Sequence, residues 1–95
     1  MNVEFKESFL KDLRAIKNKE LLTRVEELIQ LVEKAERLTE ITNLKMLKGG
    51  GRYYRVRIGN YRAGLVVEKE MVIFVRFLHR REVYRYFPRR CTATD

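Results

Sequence analysis

The chain has 95 residues, a single cysteine and a formal net charge of +8. This length supports one domain with one modest core. A lone cysteine, Cys91, excludes an intrachain disulfide and fits a reducing compartment. The N-terminal segment lacks the apolar core of a signal peptide, and no apolar run approaches the roughly twenty residues that span a bilayer. We therefore expect a cytoplasmic protein without a membrane segment.

Charge is distributed unevenly along the chain. Residues 1–47 contain nine Lys or Arg and nine Asp or Glu, whereas residues 48–95 contain twelve and four, so the second half carries the whole net charge. Ten of those twelve cations are arginine, whose planar guanidinium can donate two parallel hydrogen bonds to a phosphate. The pattern predicts a scaffold in the first half and a polyanion-binding surface in the second, with nucleic acid as the expected polyanion.

The first half is predicted to form a short strand and two amphipathic helices. Residues 2–5 form the strand, and apolar residues at helical spacing predict a first helix over about residues 7–17, which Asn18 ends. A second helix of about 17 residues follows, and its apolar stripe consists of Leu21, Leu22, Val25, Leu28, Ile29, Val32 and Ala35. The short turn between the helices predicts an antiparallel hairpin.

The second half is predicted to form a three-stranded meander. Residues 38–52 form a connector, and the strands are expected at roughly 53–58, 61–67 and 71–78, with a type II′ turn at Gly59-Asn60. A short helix over residues 80–87, stopped by Pro88, would place Arg80 and Tyr84 on one helical face. Residues 1–88 are thus predicted to be one domain, and residues 89–95 a disordered tail.

The element order β-α-α-β-β-β-α predicts an α+β fold in which the helical hairpin covers one face of an antiparallel sheet. Alternation along the first meander strand places Tyr53, Arg55 and Arg57 on the other, open face. Arg62 lies at the head of the next strand. Gly64, two residues further, points the same way and is expected to leave room for a substrate.

Other candidate residues carry weaker signals. Lys48 precedes three glycines and is assigned to the phosphate-binding surface, although the segment lacks the remaining elements of a P-loop. His79 is the one histidine of the chain, and histidine is the side chain best suited to acid/base work near neutral pH; at a strand end it also commonly caps or packs. Because the carboxylates are scattered outside any ligand spacing, neither a metal nor another cofactor is expected.

Two segments, LKGGGRYYRVRIGNYRAGLVV and FLHRREVYRYFP, contain the patterns Y-R-x-R-I-G-x-Y-R and H-R-x-x-V-Y. In these motifs the chain resembles the RelE/ParE superfamily of toxins from bacterial and archaeal toxin–antitoxin pairs, and the resemblance spans nearly the whole chain from the helical hairpin onwards. Membership implies a microbial-RNase-like fold and a cognate antitoxin, which should be acidic given the charge of this chain, with operator DNA bound only through the toxin–antitoxin complex. The RelE branch implies metal-independent cleavage of mRNA in the ribosomal A site.

That reaction assigns provisional roles to the candidates. The 2′-hydroxyl of the RNA attacks the adjacent phosphate, and the protein must assist proton transfer and stabilise the phosphorane. Arg62 would stabilise the phosphorane. By resemblance, Arg80 would assist it and Tyr84 would stack on a base or transfer a proton, while His79 is the expected general acid or base. The arginines expected to bind RNA phosphates are Arg55, Arg57, Arg76, Arg81 and Arg85.

One departure from the family pattern and two alternatives remain open. Arg55 and Arg57 stand where RelE-type toxins have a pair of lysines, and an arginine stays protonated and is a poor base. The alternatives are a ParE-like inhibitor of DNA gyrase, which would share the fold, and an inactive module that only binds an antitoxin.

Overall fold

The computed structural model describes residues 1–47 and 51–88. Its elements follow the order β1 (Asn2–Phe5), α1 (Glu7–Arg14), α2 (Lys19–Lys34), a 3₁₀ turn (Leu38–Glu40), β2 (Leu44–Met46), β3 (Tyr53–Ile58), β4 (Tyr61–Glu68), β5 (Met71–His79) and α3 (Val83–Tyr86). The five strands form one sheet in the order β1-β5-β4-β3-β2. The predicted α+β class is confirmed, and the predicted tail, residues 89–95, lies outside the described residues.

The sheet is mixed rather than purely antiparallel. Strands β2 to β5 pair antiparallel with their neighbours, as predicted for the meander. Strand β1 instead pairs parallel with β5, with Phe5 opposite Phe74. A parallel neighbour needs a long crossover connection, and the chain between β1 and β5 provides it with both long helices and the rest of the sheet.

The core lies between the helices and one face of the sheet. Phe9 of α1 packs at 5.2 Å from Phe74 and 6.4 Å from Phe77, measured between ring centroids. All three rings are essentially inaccessible to solvent. Helix α2 adds its predicted stripe, of which Val25, Leu28 and Val32 are buried. Its first turn is capped by Asn18, whose side chain accepts a hydrogen bond from the Leu21 N–H. This burial fixes which sheet face is covered and which is open.

Side chains of α1 complete the edge of β5 where β1 ends. Ser8 Oγ donates a hydrogen bond to the Val75 carbonyl at 2.6 Å, and Asp12 Oδ2 accepts from the Phe77 N–H at 2.9 Å. Backbone groups at a sheet edge would otherwise remain unpaired. Helix α1 therefore replaces a missing strand along the second half of β5.

Three boundaries differ from the sequence prediction. Helix α1 ends at Arg14 rather than near residue 17. The predicted connector contains the edge strand β2, which the chain enters through Asn43 at a φ of 62°. Helix α3 begins only at Val83, so Arg80 precedes the helix and does not share a helical face with Tyr84. In the described part of the chain, no helix has the length and apolar character that a membrane crossing requires.

Candidate functional site

The register of the sheet brings two predicted arginines face to face. Arg57 of β3 lies directly opposite Arg62 of β4, and both lie on the face that the helices leave open. Between them the chain turns at Gly59, whose φ of 58° matches the predicted hairpin turn. Like charges in directly opposite positions of an antiparallel pair are destabilising. This arrangement therefore costs stability unless an anion lies between the two guanidinium groups.

Two further arginines approach the same turn. Arg24, Arg57, Arg62 and Arg80, which we call the arginine cluster, line an open depression of about 460 Å³ together with Asn43, Gly59 and Asn60. The backbone explains two of the positions: the Arg80 N–H donates to the Asn60 carbonyl at 2.7 Å, and Arg62 Nη1 donates to the carbonyls of Gly59 and Tyr61 at 3.1 and 2.9 Å.

The cluster is not neutralised by the parts of the chain that are described. Ion pairs within 4 Å in residues 1–47 and 51–88 are formed by three other arginines, Arg14, Arg52 and Arg76. Glu27 lines a neighbouring depression that also contains Arg24 and Arg57, yet it forms no ion pair with either. Four guanidinium groups around one hairpin turn constitute a strong site for a phosphate or another anion.

Arg24 is the member of the cluster that sequence reasoning missed. It belongs to the neutral first half and to α2, which was interpreted as scaffold. Its Nη1 lies so close to the hairpin turn that a Cβ at Gly59 would be 3.3 Å from it. This proximity depends on how α2 crosses the sheet, and no local pattern in the sequence reports it.

His79 is not brought together with Arg62. It lies opposite Tyr61, on the covered face, and its ring stands edge-on to the Tyr61 ring at 5.4 Å between centroids. His79 Nδ1 accepts a hydrogen bond from the Arg81 N–H at 3.2 Å. These contacts fit the capping and packing alternative, and the acid/base role of His79 stays a prediction.

The space expected at Gly64 is occupied. A Cβ at this position would lie 2.5 Å from a ring carbon of Phe87, and Phe87 is buried. The expectation that Gly64 leaves room for a substrate is therefore wrong, because the C-terminal segment folds back onto the open face and fills that room. The open part of this face begins at Arg62.

Two arginines predicted to bind phosphate have other partners. Arg76 Nε and Nη2 donate to the two carboxylate oxygens of Asp12 at 2.8 and 3.2 Å, and the Arg76 guanidinium lies over the ring of Tyr86. These contacts give Arg76 a structural role, and its assignment to the RNA-binding rim stays an untested prediction. Arg55 donates from Nη1 to the Asn43 carbonyl at 3.0 Å, and its Nε is buried without a partner in the described chain, so Arg55 lies beside the cluster rather than in it.

The remaining predicted residues lie on the surface or outside the described chain. Tyr84 is 54% exposed, so its ring is accessible from solvent. Arg81 and Arg85 are exposed as well. Lys48 lies outside the described residues. Among those that are described, His, Asp and Glu do not gather in a group of three that could hold a metal ion.

The fold is that of a small basic α+β domain, and its β3–β4 hairpin turn carries a cluster of four arginines. A family model described as "ParE toxin of type II toxin-antitoxin system, parDE" matches residues 3–84. Toxin RelE3 of Methanocaldococcus jannaschii is 37% identical over 89 residues, which are 93% of this chain and all of that protein. The chain therefore belongs to the RelE/ParE superfamily of toxins of type II toxin–antitoxin systems, and the predicted resemblance is confirmed.

Solved structures agree with this assignment. The RelB-RelE antitoxin–toxin complex from Methanococcus jannaschii matches with a TM-score of 0.77 and 35% identity, over 90% of this chain and 99% of that one. An archaeal RelE-RelB complex from Pyrococcus horikoshii matches in fold, with a TM-score of 0.69 at 23% identity over 83% of this chain and 93% of that one. The chain is a RelE-like toxin with the microbial-RNase-like fold of this group.

Proposed function

We propose that this toxin is a metal-independent endoribonuclease that cleaves mRNA in the ribosomal A site and thereby stops translation in the cytoplasm. The observation that supports the proposal is the arginine cluster, in which Arg57 and Arg62 lie opposite each other and Arg24 and Arg80 line the same depression beside the hairpin turn. A phosphorane carries more negative charge on its oxygens than the phosphodiester from which it forms. Fixed guanidinium groups around it therefore stabilise the transition state more than the ground state.

The reaction can be written with the groups that are present. The 2′-oxygen forms a bond to the adjacent phosphorus, the bond from phosphorus to the 5′-oxygen breaks, and the products are a 2′,3′-cyclic phosphate and a 5′-hydroxyl. Two backbone carbonyls hold the Arg62 side chain, which supports Arg62 as the proposed principal donor to the phosphorane, with Arg57 and Arg80 beside it. Because guanidinium stays protonated, these residues stabilise charge. The 2′ proton passes to water or to groups of the ribosome, and the departing 5′-oxygen takes up a proton from the same sources.

Tyr84 and the exposed arginines that follow the cluster serve the RNA rather than the phosphorane. The exposed Tyr84 ring offers a surface on which a base can stack. Arg81 and Arg85 add cationic contacts to the same rim. His79 receives no proton-transfer role in this proposal, since it lies on the covered side of the sheet and is engaged by Arg81.

The proposed partner is an acidic antitoxin. The relatives named above were solved as RelB-RelE complexes, and a chain of net charge +8 has its complement in a negatively charged partner. Coverage of the arginine cluster by such a partner would block access to mRNA. Operator DNA would then be bound through the complex and not by the toxin alone.

A second candidate function is favoured by the family model, whose description names the ParE toxin. In that case the arginines would contact DNA gyrase or its DNA without cleavage. The two functions are separated by one pair of assays on the purified toxin. We expect new mRNA 5′ ends within ribosome-bound codons in a cell-free translation reaction, and unchanged supercoiling by gyrase. Intact mRNA together with inhibited supercoiling would establish the second function instead. Arg37→Ala removes an exposed arginine outside the cluster and serves as the charge-matched control for Arg62→Ala.

A further inference from the structure

The C-terminal helix is held on the open face of the sheet by two side chains. Val83 and Phe87, four residues apart, are 0% and 3% exposed, whereas Tyr84 and Tyr86 between them are 54% and 38% exposed. The Phe87 N–H donates to the Val83 carbonyl at 2.8 Å, closing the single turn between them. A helix of four residues has almost no stability of its own. The position of Tyr84 therefore depends on how Val83 and Phe87 are seated.

The Phe87 ring packs directly on Gly64, and we call the space above this glycine the Phe87 seat. Three ring carbons of Phe87 lie within 2.8 Å of the point where a Cβ would be, and the Tyr53 ring stands edge-on to Phe87 at 5.9 Å. The backbone does not itself require glycine here, since Gly64 lies within β4 and the positive φ values among the described glycines belong to Gly51 and Gly59. The β-bulge beside Gly64 does not require glycine either, because its extra residue belongs to β5 rather than to β4. Space for the ring is thus the physical reason for glycine at position 64.

We propose that Gly64 and Phe87 are positioning residues for Tyr84, so that the seated ring fixes the tyrosine against the RNA; this rests on the proposed ribonuclease function. The arginine cluster does not share this dependence. Arg80 is fixed separately by its bond to Asn60, and Arg62 by the hairpin carbonyls. Loss of the seat should therefore disturb the orientation of the RNA while phosphate binding persists.

A double-mutant cycle with two readouts tests the proposal. The Cβ of Gly64→Ala displaces the Phe87 ring, so amide hydrogen exchange in α3 should accelerate while exchange in β3 and β4 stays as in the wild type. In cleavage of mRNA on programmed ribosomes, kcat should fall by up to about 10²-fold, the cost of a misplacement of roughly 1 Å, with KM unchanged. In a Phe87→Ala background no ring remains to be displaced, so Gly64→Ala should have no further effect on either readout.

Controls separate positioning from loss of stability. Val72→Ala removes buried volume on the covered face, and it should lower the melting temperature without the selective change in α3 or the fall in kcat. Unchanged amide exchange in α3 of Gly64→Ala, or equal effects of Gly64→Ala in the wild-type and Phe87→Ala backgrounds, would show that Gly64 does not position α3 through the Phe87 ring. Accelerated exchange with full cleavage activity would overturn the role for Tyr84. If the wild type cleaves no mRNA, the ribonuclease proposal fails, whereas the exchange measurement still decides whether the seat exists.

Discussion

Replacing Arg57 by glutamine should stabilise the free toxin and weaken its binding to RNA at the same time. Arg57 is exposed and lies opposite Arg62, with Arg24 and Arg80 around the same depression. A pair of like charges in directly opposite strand positions costs about 0.5 kcal/mol. Removing one charge should therefore raise the melting temperature by roughly 2–4 °C for a domain of this size. The gain should shrink at high salt, because screening already weakens the repulsion.

Arg57→Gln should weaken binding of the toxin to mRNA-programmed ribosomes, although it stabilises the free toxin. Each lost arginine–phosphate contact releases one fewer counterion, so the slope of log K against log salt should become shallower by roughly 0.7–0.9. Thermal melts and binding titrations over a salt series measure both effects on the same preparation. Arg37→Gln removes an arginine outside the cluster and should leave both values unchanged. A lower melting temperature for Arg57→Gln, or an unchanged salt slope, would refute the interpretation of the cluster as an unsatisfied anion site.

Three further substitutions test neighbouring parts of the account. Asp12→Ala leaves the Phe77 N–H and the largely buried Arg76 without a partner, and it should lower the free energy of unfolding by about 2–4 kcal/mol in urea denaturation. Glu7→Ala breaks an exposed ion pair on the same helix and should lower it by less than about 0.5 kcal/mol. Equal losses would contradict the stabilisation of the β5 edge by Asp12. His79→Gln should change the cleavage rate only a few-fold, and a loss of roughly 10²-fold with unchanged ribosome binding would support an acid/base role instead. Tyr84→Phe should retain cleavage and Tyr84→Ala should lower it roughly 5- to 150-fold, as expected for one base stack; a large loss in Tyr84→Phe would indicate proton transfer instead.

The sequence predicts those parts of the fold that depend on local periodicity. The alternation of β3 correctly separates the buried Val56 and Ile58 from the outward-facing Arg57, and the glycine-first turn correctly ends that strand. The bounds of α2 follow from its apolar stripe and from the Asn18 cap. In each case the determining interactions lie within a few residues of one another.

The sequence does not predict features that depend on tertiary contacts. Strand β2 has three residues and exists because β3 pairs with it. Arg24 joins the cluster only through the crossing of α2 over the hairpin turn. The Phe87 ring fills the space above Gly64. Because the two residues are far apart in the chain, no local pattern predicts this contact. The opposite faces of Arg62 and His79 follow from strand register, which a one-residue shift would reverse.

The most direct test of the central claim is a map of mRNA 5′ ends in a cell-free translation reaction, comparing the wild-type toxin with Arg62→Ala and Arg37→Ala. We expect 5′-hydroxyl ends within A-site codons for the wild type and for Arg37→Ala. For Arg62→Ala, these ends should appear at a rate reduced by roughly 10²–10³-fold, the cost of removing one fixed donor to the phosphorane. Cleavage that is unchanged in Arg62→Ala, or absent with the wild type, would contradict it.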